Sequence, residues 1–465
     1  MTLPDDSSRV DDATGENERR RRHGRAVGRP DGRAAGAERP RGRERGTGKG
    51  ARRDLDAACD EERIPPVHED DPSSTGQEEP LLEVLYRLEG SQEECRDRAR
   101  LLAIEETAEV SPDLCDTPFF RDRVVGRVGQ VSPLPGRRAC RVSISYPGAV
   151  GGREIPQWVS VLFGNVSLWP GVRVEAVRPS PALLRSFPGP AFGIPGLRRL
   201  LGVPDRPLVL SAVKPLGRTV AELARMAEEL ALGGIDILKD DHGITDQDFA
   251  PFRERVAACA EAVRRASDRT GHRCLYFPTV TGPADEMAAR AQWALDHGAG
   301  GLLVSPWVAG LDWVRALARQ TGLPVMAHPA LAGAFFSHRD HGIAMPVAMG
   351  TLVRLAGADL AIFPGPGGRF APAPQEVAAW DRALKEDLPG VAPTMPVPAG
   401  GLPLEGLGSL LEIFGRDVAF LVGSSLYRHS PDLSANAAHL RRLVEEALEA
   451  IPPTPAPRRR SPSPT

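Results

Sequence analysis

Short apolar runs alternate with helical segments from about residue 207 onward. The runs are LVLSAV, IDILK, LYFPTV, GLLVSP, PVMAHP, DLAIFPG, MPVPAG and VAFLVG. Segments between them, such as TVAELARMAEELALGG, read as helices, and this one closes with glycine, a usual C-terminal stop. Eight strands, each followed by a helix, predict a (β/α)8 TIM barrel, with an open doubly wound sheet as the competing interpretation.

A different pattern precedes these repeats, starting near Leu81. LLEVLYRLEG, RACRVSISYP and RVEAVRPSP read as strands. SQEECRDRARLLAIEET reads as a helix that begins with a capping serine and has glutamate three residues later. Because strands outnumber helices here, we expect a small α+β domain at residues 77–187, followed by the barrel at residues 188–451.

Composition separates both ends of the chain from this folded part. Residues 1–76 hold few aromatic or β-branched side chains and many Arg, Gly, Asp and Glu, so they bury too little apolar surface to offset chain entropy. Residues 452–465 are a second low-complexity segment, rich in Pro, Arg and Ser. We expect two disordered tails. The arginine clusters of the first could bind RNA, but intermixed acids and missing aromatics favour a solvated tail.

Charge and cysteine spacing exclude several function classes. The 465 residues carry a net charge of -3, which gives no general attraction to nucleic acid or membranes. The six cysteines show no C-x-x-C spacing, which argues against a zinc knuckle or redox pair. No apolar run approaches the roughly 18 residues of a membrane helix, and the first residues lack the order of a secretory signal. We therefore expect a cytoplasmic protein.

Polar and glycine residues follow most of the predicted barrel strands. In a TIM barrel these strand ends meet at one face, where the chemistry lies. The residues in question are Lys214 after strand one, Lys239, Asp240, Asp241 and His242 at the end of strand two, His328 after strand five, Gly400 and Gly401 after strand seven, and Gly423 and Ser424 after strand eight. Lys239 still lies within its strand, where burial without a partner is costly, which favours a functional role. His328 could equally be a core histidine, and the glycines could be plain turns.

Together these residue types indicate enolisation of a phosphorylated ketose. Oxygen ligands at strand two suit a hard cation such as Mg²⁺, and a cation beside a sugar carbonyl stabilises an enediolate. A lysine of lowered pKa can move the proton. Glycine turns after strands seven and eight offer backbone N–H groups to a phosphate.

Several motifs resemble those of the Rubisco large-subunit superfamily. GGIDILKDDHG resembles the metal-site motif G-G-x-D-x-x-K-D-D-E, and SAVKPLG resembles the strand-one motif with its catalytic lysine. FGNV resembles the small-domain motif whose asparagine reaches the active site, FPGPAFGIPGLRRLLG the lead into the barrel, and PVPAGGL the phosphate-binding turn. The resemblance spans about residues 80–450 in consistent order.

The resemblance implies a ferredoxin-like domain before a TIM barrel, in a homodimer whose active sites are shared between subunits. It implies that Lys214 transfers protons and that Lys239, when carbamylated, binds Mg²⁺ with Asp241 as a further ligand. Asn165 and Glu105 would come from the partner chain.

The departures from the family motifs point away from CO₂ fixation. His242 replaces the third metal-site acid, and Leu216 stands where a second lysine is expected. Pro329 follows His328 in place of an arginine that holds a second phosphate, and PGPGGRF offers only Arg369 where a lysine meets CO₂. The chain therefore resembles a Rubisco-like protein, not a carboxylase.

We accordingly predict an enzyme that enolises a monophosphorylated keto-sugar or sugar acid, as an isomerase, tautomerase or enolase. Two alternatives stay open. The same enolate would form in the decarboxylation of a 3-oxo sugar-acid phosphate, and a barrel without metal chemistry could be a non-catalytic sugar-phosphate binding protein.

Overall fold

The computed structural model describes residues 81–115, 117–366, 370 and 372–449. The predicted tails and Arg369 lie outside these residues. Within the described part, no helix combines the length and apolar character that crossing a membrane requires.

A four-stranded antiparallel sheet with helices forms the first part of the described chain. Its elements are β1 (Leu81–Glu89), α1 (Gln92–Glu105), α2 (Pro118–Arg123), β2 (Arg127–Pro133), β3 (Ala139–Pro147), α3 (Gly148–Gly151), α4 (Ile155–Phe163), β4 (Val172–Pro179) and α5 (Pro181–Leu184), with 3-10 turns at Pro112–Leu114 and Asn165–Leu168. The strand order is β4-β1-β3-β2. In β1 alternate side chains are buried, among them Leu82, Val84 and Tyr86, as expected for a sheet with one covered face.

The predicted capping serine begins α1. Ser91 Oγ accepts a hydrogen bond from the Glu94 backbone N–H at 3.3 Å, and Glu94 Oε2 accepts one from the Ser91 N–H at 2.6 Å. This reciprocal pair satisfies two N–H groups at the start of the helix. It fixes where α1 begins, and α1 in turn carries Glu105 at its last residue.

Eight parallel strands form the second part. They are β5 (Leu208–Val213), β6 (Ile237–Asp240), β7 (Leu275–Phe277), β8 (Leu302–Val304), β9 (Val325–Ala327), β11 (Leu360–Pro364), β12 (Met395–Ala399) and β13 (Ala419–Leu421), and a short strand β10 (Gly342–Ile343) lies between β9 and β11 in the chain. Seven of the eight lie within a predicted run, and β6 extends one residue past IDILK, to Asp240.

Helices connect these strands. They are α6 (Gly193–Leu201), α7 (Val220–Leu232), α8 (Phe252–Thr270), α9 (Ala284–Asp296), α10 (Pro306–Ala309), α11 (Asp312–Thr321), α12 (Gly333–Phe336), α13 (Leu352–Leu355), α14 (Pro374–Lys385), α15 (Leu407–Phe414), α16 (Ser424–His429) and α17 (Leu433–Glu449), with a π-helical turn at Val347–Thr351 and a 3-10 turn at Leu404–Gly406.

The strands close into a barrel rather than an open sheet. Hydrogen bonds join β13-β5-β6-β7 in one group and β12-β11-β9-β8 in another. A bridge between Thr279 and Leu303 links the groups on one side, and β12 lies beside β13 on the other. The predicted TIM barrel is thus confirmed, and the doubly wound alternative is wrong. Leu197 of α6 packs into the apolar interior, so α6 covers one end of the barrel and leaves the other end for the site.

The sheet of the small domain contacts the barrel loop that follows β9. Strand β10 adds to its sheet in parallel with β4, pairing Ile343 with Val174. Arg87 Nη1 lies 2.9 Å from Asp340 Oδ1, and Arg173 Nη1 donates to the carbonyl of His338 at 2.6 Å. This loop follows β9 and leads from His328 to the small-domain sheet, so the sheet fixes one wall of the site.

Candidate active site

Lys214 and Asp241 meet at the open end of the barrel. Lys214 directly follows β5 and Asp241 directly follows β6, and the parallel register pairs Val213 with Asp240. The two side chains therefore extend from neighbouring strand ends. Lys214 Nζ lies 3.5 Å from Asp241 Oδ2.

Asp241 also contacts the first of two stacked histidines. His242 Nδ1 lies 3.1 Å from Asp241 Oδ1, and the ring of His242 stacks on that of His328 with centroids 4.2 Å apart. His328 Nδ1 accepts a hydrogen bond from the Ala330 N–H at 3.1 Å, so a neutral His328 carries its proton on Nε2. Burial, together with the nearby charge of Lys239, holds the pKa of His328 well below its usual range. His328 is thus a neutral hydrogen-bond donor at the cavity.

Lys239 is buried at the end of β6, as its position within the strand predicted. Its Nζ donates to the carbonyl oxygen of Asp240 at 2.9 Å. Burial, helped by the charge of Lys214 and opposed by that of Asp241, lowers the pKa of Lys239 to about 8. Burial alone would raise the pKa of Asp241, but the His242 hydrogen bond and the charge of Lys239 outweigh it and bring it below its usual range. Lys239 is therefore deprotonated more readily than an ordinary lysine, as carbamylation requires.

Asp240 points away from the cavity into a buried polar network, a role that sequence reasoning missed. Its carboxylate accepts hydrogen bonds from Tyr276 Oη at 2.6 Å, the Thr279 N–H at 3.0 Å and Arg255 Nε at 3.2 Å. Both Asp240 and Arg255 are fully buried. Because neighbouring side chains of a strand face opposite ways, anchoring Asp240 outward directs Lys239 and Asp241 inward. Alternation along IDILKDD was the signal that could have separated the two aspartates.

A cavity of about 720 Å³ brings together most of the predicted residues. Its walls include Lys214, Lys239, Asp241, His242, His328, Gly400, Gly401, Gly423 and Ser424. Gly400 and Gly401 have φ of +89° and +98°, a left-handed conformation that a side chain disfavours. A Cβ on Gly423 would lie 3.2 Å from Lys214 Nζ, so this glycine makes room for the lysine. The rest of the wall is largely apolar, with Pro329, Phe336, Met345, Ile362, Phe363 and Phe370.

Asn165 and Glu105 do not line this cavity of their own chain. They lie together on the small domain, where Asn165 Nδ2 donates to Glu105 Oε1 at 3.0 Å. Two neighbouring acids that the sequence analysis passed over complete the cluster. Glu109 Oε1 accepts from the same Nδ2 at 2.9 Å, and Glu106 accepts from the backbone on both sides of Asn165. The spacing of acids in IEETAEV was the available signal.

The donor set at the end of β6 fits Mg²⁺ only in part. Within the described residues, no group of three or more His, Cys, Asp and Glu is placed to hold a metal ion. Asp241 offers a carboxylate, whereas the Lys239 amine becomes an oxygen ligand only after carbamylation. His242 offers nitrogen, which Mg²⁺ binds less well than oxygen. The residues therefore fit a cation held by carbamylated Lys239 and Asp241, with His242 as the departure.

Comparison with known proteins identifies the family. Residues 193–454 match the family described as ribulose bisphosphate carboxylase large chain, catalytic domain. The chain belongs to the Rubisco large-chain family. It is 40% identical over 356 residues to ribulose bisphosphate carboxylase-like protein 1 of Rhodopseudomonas palustris, an alignment that covers 76% of this chain and 95% of that protein. The Rubisco-like resemblance drawn from the sequence motifs is thereby confirmed.

Two relatives with a named activity are an isomerase and an enolase. The chain is 35% identical to the 5-methylthioribulose-1-phosphate isomerase of Rhodospirillum rubrum, covering 77% of this chain and 94% of the relative. It is 34% identical to the 2,3-diketo-5-methylthiopentyl-1-phosphate enolase of Bacillus velezensis, covering 67% and 78%. The chain is thus a Rubisco-like enzyme of the enolase or isomerase type, without carboxylation.

The fold agrees with a solved Rubisco-like structure. The crystal structure of a Rubisco-like protein from Rhodopseudomonas palustris superposes with a TM-score of 0.71 at 36% identity, covering 79% of this chain and 98% of that one. An N-terminal α+β domain and a C-terminal TIM barrel, as predicted, are the architecture of this group.

Proposed function

We propose that this Rubisco-like chain enolises a five-carbon keto-sugar 1-phosphate with an apolar group at the far end from the phosphate, and returns the proton as an isomerase or enolase. The observation that carries the proposal is the placement of Lys214 Nζ 3.5 Å from Asp241 Oδ2 in a cavity that also holds the neutral His328. A proton acceptor and a hydrogen-bond donor for the carbonyl oxygen thus face one space.

Lys214 is the residue that moves the proton in this proposal. As the neutral amine, it accepts the proton from the carbon next to the substrate carbonyl, as the electron pair of that C–H bond shifts toward the carbonyl oxygen. His328 Nε2–H donates a hydrogen bond to that oxygen, where negative charge develops. Lys214 then returns the proton to carbon, and the carbon that receives it decides whether the product is an isomer or an enol tautomer.

Mg²⁺ held by carbamylated Lys239 and Asp241 would add positive charge beside the same oxygen. The low pKa of Lys239, about 8, supports the modification because the neutral amine is the form that reacts with CO₂. His242 contacts Asp241 and leaves the cation one carboxylate short of the family motif. We therefore infer a weak cation site that fills only when Lys239 is carbamylated.

One end of the cavity suits a phosphate and the rest suits an apolar group. Gly400, Gly401, Gly423 and Ser424 line the cavity after the neighbouring strands β12 and β13, and the N–H groups of such turns would bind a phosphate there. Pro329, Phe336 and Met345 line another part, and the described lining residues there include no cation for a second phosphate. The named substrates of the two relatives, 5-methylthioribulose 1-phosphate and 2,3-diketo-5-methylthiopentyl 1-phosphate, combine these features, and we propose substrates of this class.

We further propose a homodimer with shared active sites. The ten large apolar side chains most exposed in the described residues fall into two groups. Leu101, Val110, Leu114, Phe119 and Leu168 lie on the small domain, whereas Leu216, Phe249, Val308, Leu331 and Phe370 each follow a different barrel strand. Leu101 precedes Glu105 by four residues and so shares its helix face. If the small-domain group of one subunit packed on the barrel group of its partner, both groups would be buried. Asn165 would then lie at the partner's cavity.

Assays with both methylthio compounds in D₂O test the proposed function. We expect deuterium in the product and no CO₂ release. Release of CO₂ from a 3-oxo acid phosphate would instead support the decarboxylase alternative. Turnover of neither compound, with deuterium absent from the recovered substrate, would contradict the proposal.

A further inference from the structure

Glu109 has a backbone conformation that its side chain disfavours. Its φ is +54°, in the left-handed region, and among the described non-glycine residues only Leu331 shares this feature. The N–H groups of Ala108 and Glu109 both donate to the carbonyl of Ile104, at 2.9 and 3.0 Å, so Glu109 closes the turn that follows α1, in a backbone conformation where glycine is usual. A glutamate here costs stability, and such residues persist mainly at functional sites.

The unfavourable backbone brings the Glu109 carboxylate to Asn165. Glu109 Oε1 lies 2.9 Å and Glu105 Oε1 3.0 Å from Asn165 Nδ2. An amide NH₂ has two protons, and two carboxylate acceptors use both. The amide is therefore held in one orientation, with Oδ1 directed away from the acids. No described residue is recorded as donating to Oδ1.

The main chain of Asn165 is fixed independently by a third acid. Glu106, which is buried, accepts hydrogen bonds from the N–H groups of Gly164 at 3.1 Å and Val166 at 2.6 Å. A Cβ on Gly164 would lie 2.9 Å from Glu106 Oε2, so the glycine permits this approach. Glu106 therefore fixes the backbone around Asn165, whereas Glu109 contacts the side-chain amide of Asn165.

We propose that Glu109 is a positioning residue that turns the Asn165 amide so that Oδ1 accepts a hydrogen bond from a hydroxyl of the substrate. Glu105 alone would leave the second amide proton unpaired and the amide free to rotate. This role rests on the proposed function, in which Asn165 reaches a sugar phosphate. It explains why a glutamate occupies a position that glycine would fill at lower cost.

A purely structural role and a positioning role predict different turnover after a glycine substitution. If Glu109 only closes the turn after α1, Glu109→Gly removes the unfavourable conformation and leaves turnover unchanged. If it positions Asn165, the same change stabilises the fold and slows the reaction. Glu109→Gln keeps an acceptor oxygen for Nδ2 and serves as the conservative control.

The test compares the full-length wild type, Glu109→Gly and Glu109→Gln with 5-methylthioribulose 1-phosphate and 2,3-diketo-5-methylthiopentyl 1-phosphate. For Glu109→Gly we expect a melting temperature raised by about 1–3 °C and kcat lowered at least about tenfold. Glu109→Gln should keep kcat within about threefold of wild type. A Glu109→Gly enzyme with wild-type kcat would overturn the inference and leave the proposed function standing.

Calorimetry with the same two compounds separates the remaining outcomes. If the wild type binds a compound without turning it over, the proposed function fails, and the inference then requires at least about tenfold weaker binding by Glu109→Gly. Equal binding by both proteins would overturn it. If the wild type neither binds nor converts either compound, Asn165 has no sugar phosphate to reach, and both proposals fall together.

Discussion

The side chain of Lys214 lies against Gly423 at the open end of the barrel. A Cβ built on Gly423 would lie 3.2 Å from Lys214 Nζ and 3.5 Å from its Cε. The absence of a side chain at Gly423 therefore leaves room for Lys214, which follows β5. This relationship ties a glycine predicted to bind phosphate to the residue predicted to move the proton.

Gly423→Ala should displace the Lys214 amine by a few tenths of an ångström and lower kcat by about three- to tenfold, less than the roughly 100-fold effect of a 1 Å misplacement. Steady-state kinetics with the methylthio compounds measures the loss. Gly408→Ala is the matched control. The added Cβ there would meet Ala447 Cβ at 3.9 Å, an ordinary contact that displaces nothing. Equal activity of the two variants would show that Lys214 does not depend on this space.

His242→Glu should strengthen Mg²⁺ binding by about tenfold or more, because a carboxylate replaces an imidazole beside Asp241. Calorimetric titration with Mg²⁺ in the presence of bicarbonate measures the change. Asp241→Asn in the same background should reverse it. An unchanged affinity in His242→Glu would mean that this strand end does not form the cation site.

Stability should depend on Glu106 between about pH 4.5 and 7. Burial raises the pKa of Glu106 to about 7, against the hydrogen bonds from Val166 and Gly164 that favour the charged form. The unfolded chain loses this proton near pH 4.5, whereas the folded chain keeps it to about 7, so folding is progressively weakened as pH rises through this window.

Melting temperatures of the wild type and Glu106→Gln, recorded from pH 5 to 8, measure this effect. The wild type should lose stability relative to the variant as pH rises, with no further change above about pH 7.5. Parallel curves for the two proteins would contradict the assigned pKa.

Leu168→Glu should weaken the proposed dimer. Leu168 is 84% exposed and lies three residues after Asn165 in the same turn. A charge buried at the interface should raise the dissociation constant at least about 30-fold. Sedimentation equilibrium measures the constant, and Arg442→Glu on α17 serves as a surface control. A Leu168→Glu protein that stays as dimeric as the control would exclude this face from the interface.

The sequence predicted the barrel more fully than the polar network around its site. Strand runs such as LVLSAV and the Ser91–Glu94 cap are local patterns, and the structure contains both. Hydrogen bonds between distant residues left no such pattern. The Asp240–Arg255 pair spans 15 positions, and Asn165 and Glu109 lie 56 positions apart. Strand β10 was also missed, because Gly342 and Ile343 form a strand only where β4 offers an edge.

The two members of the KDD acid pair illustrate the limit. Both aspartates follow Lys239, and residue type alone did not separate them, although the family resemblance implied only Asp241 as a ligand. The structure directs Asp241 to Lys214 and buries Asp240 against Tyr276 and Arg255. Strand alternation would have separated them, but only once the end of β6 was known to within one residue.

Deuterium exchange by Lys214→Met tests the central claim most directly. With a methylthio keto-sugar phosphate in D₂O, the wild type should incorporate solvent deuterium at the carbon next to the carbonyl. Lys214→Met should lower the exchange rate about 10²- to 10⁴-fold while retaining the fold and the binding of the compound. Exchange at the wild-type rate in the folded variant would contradict the account.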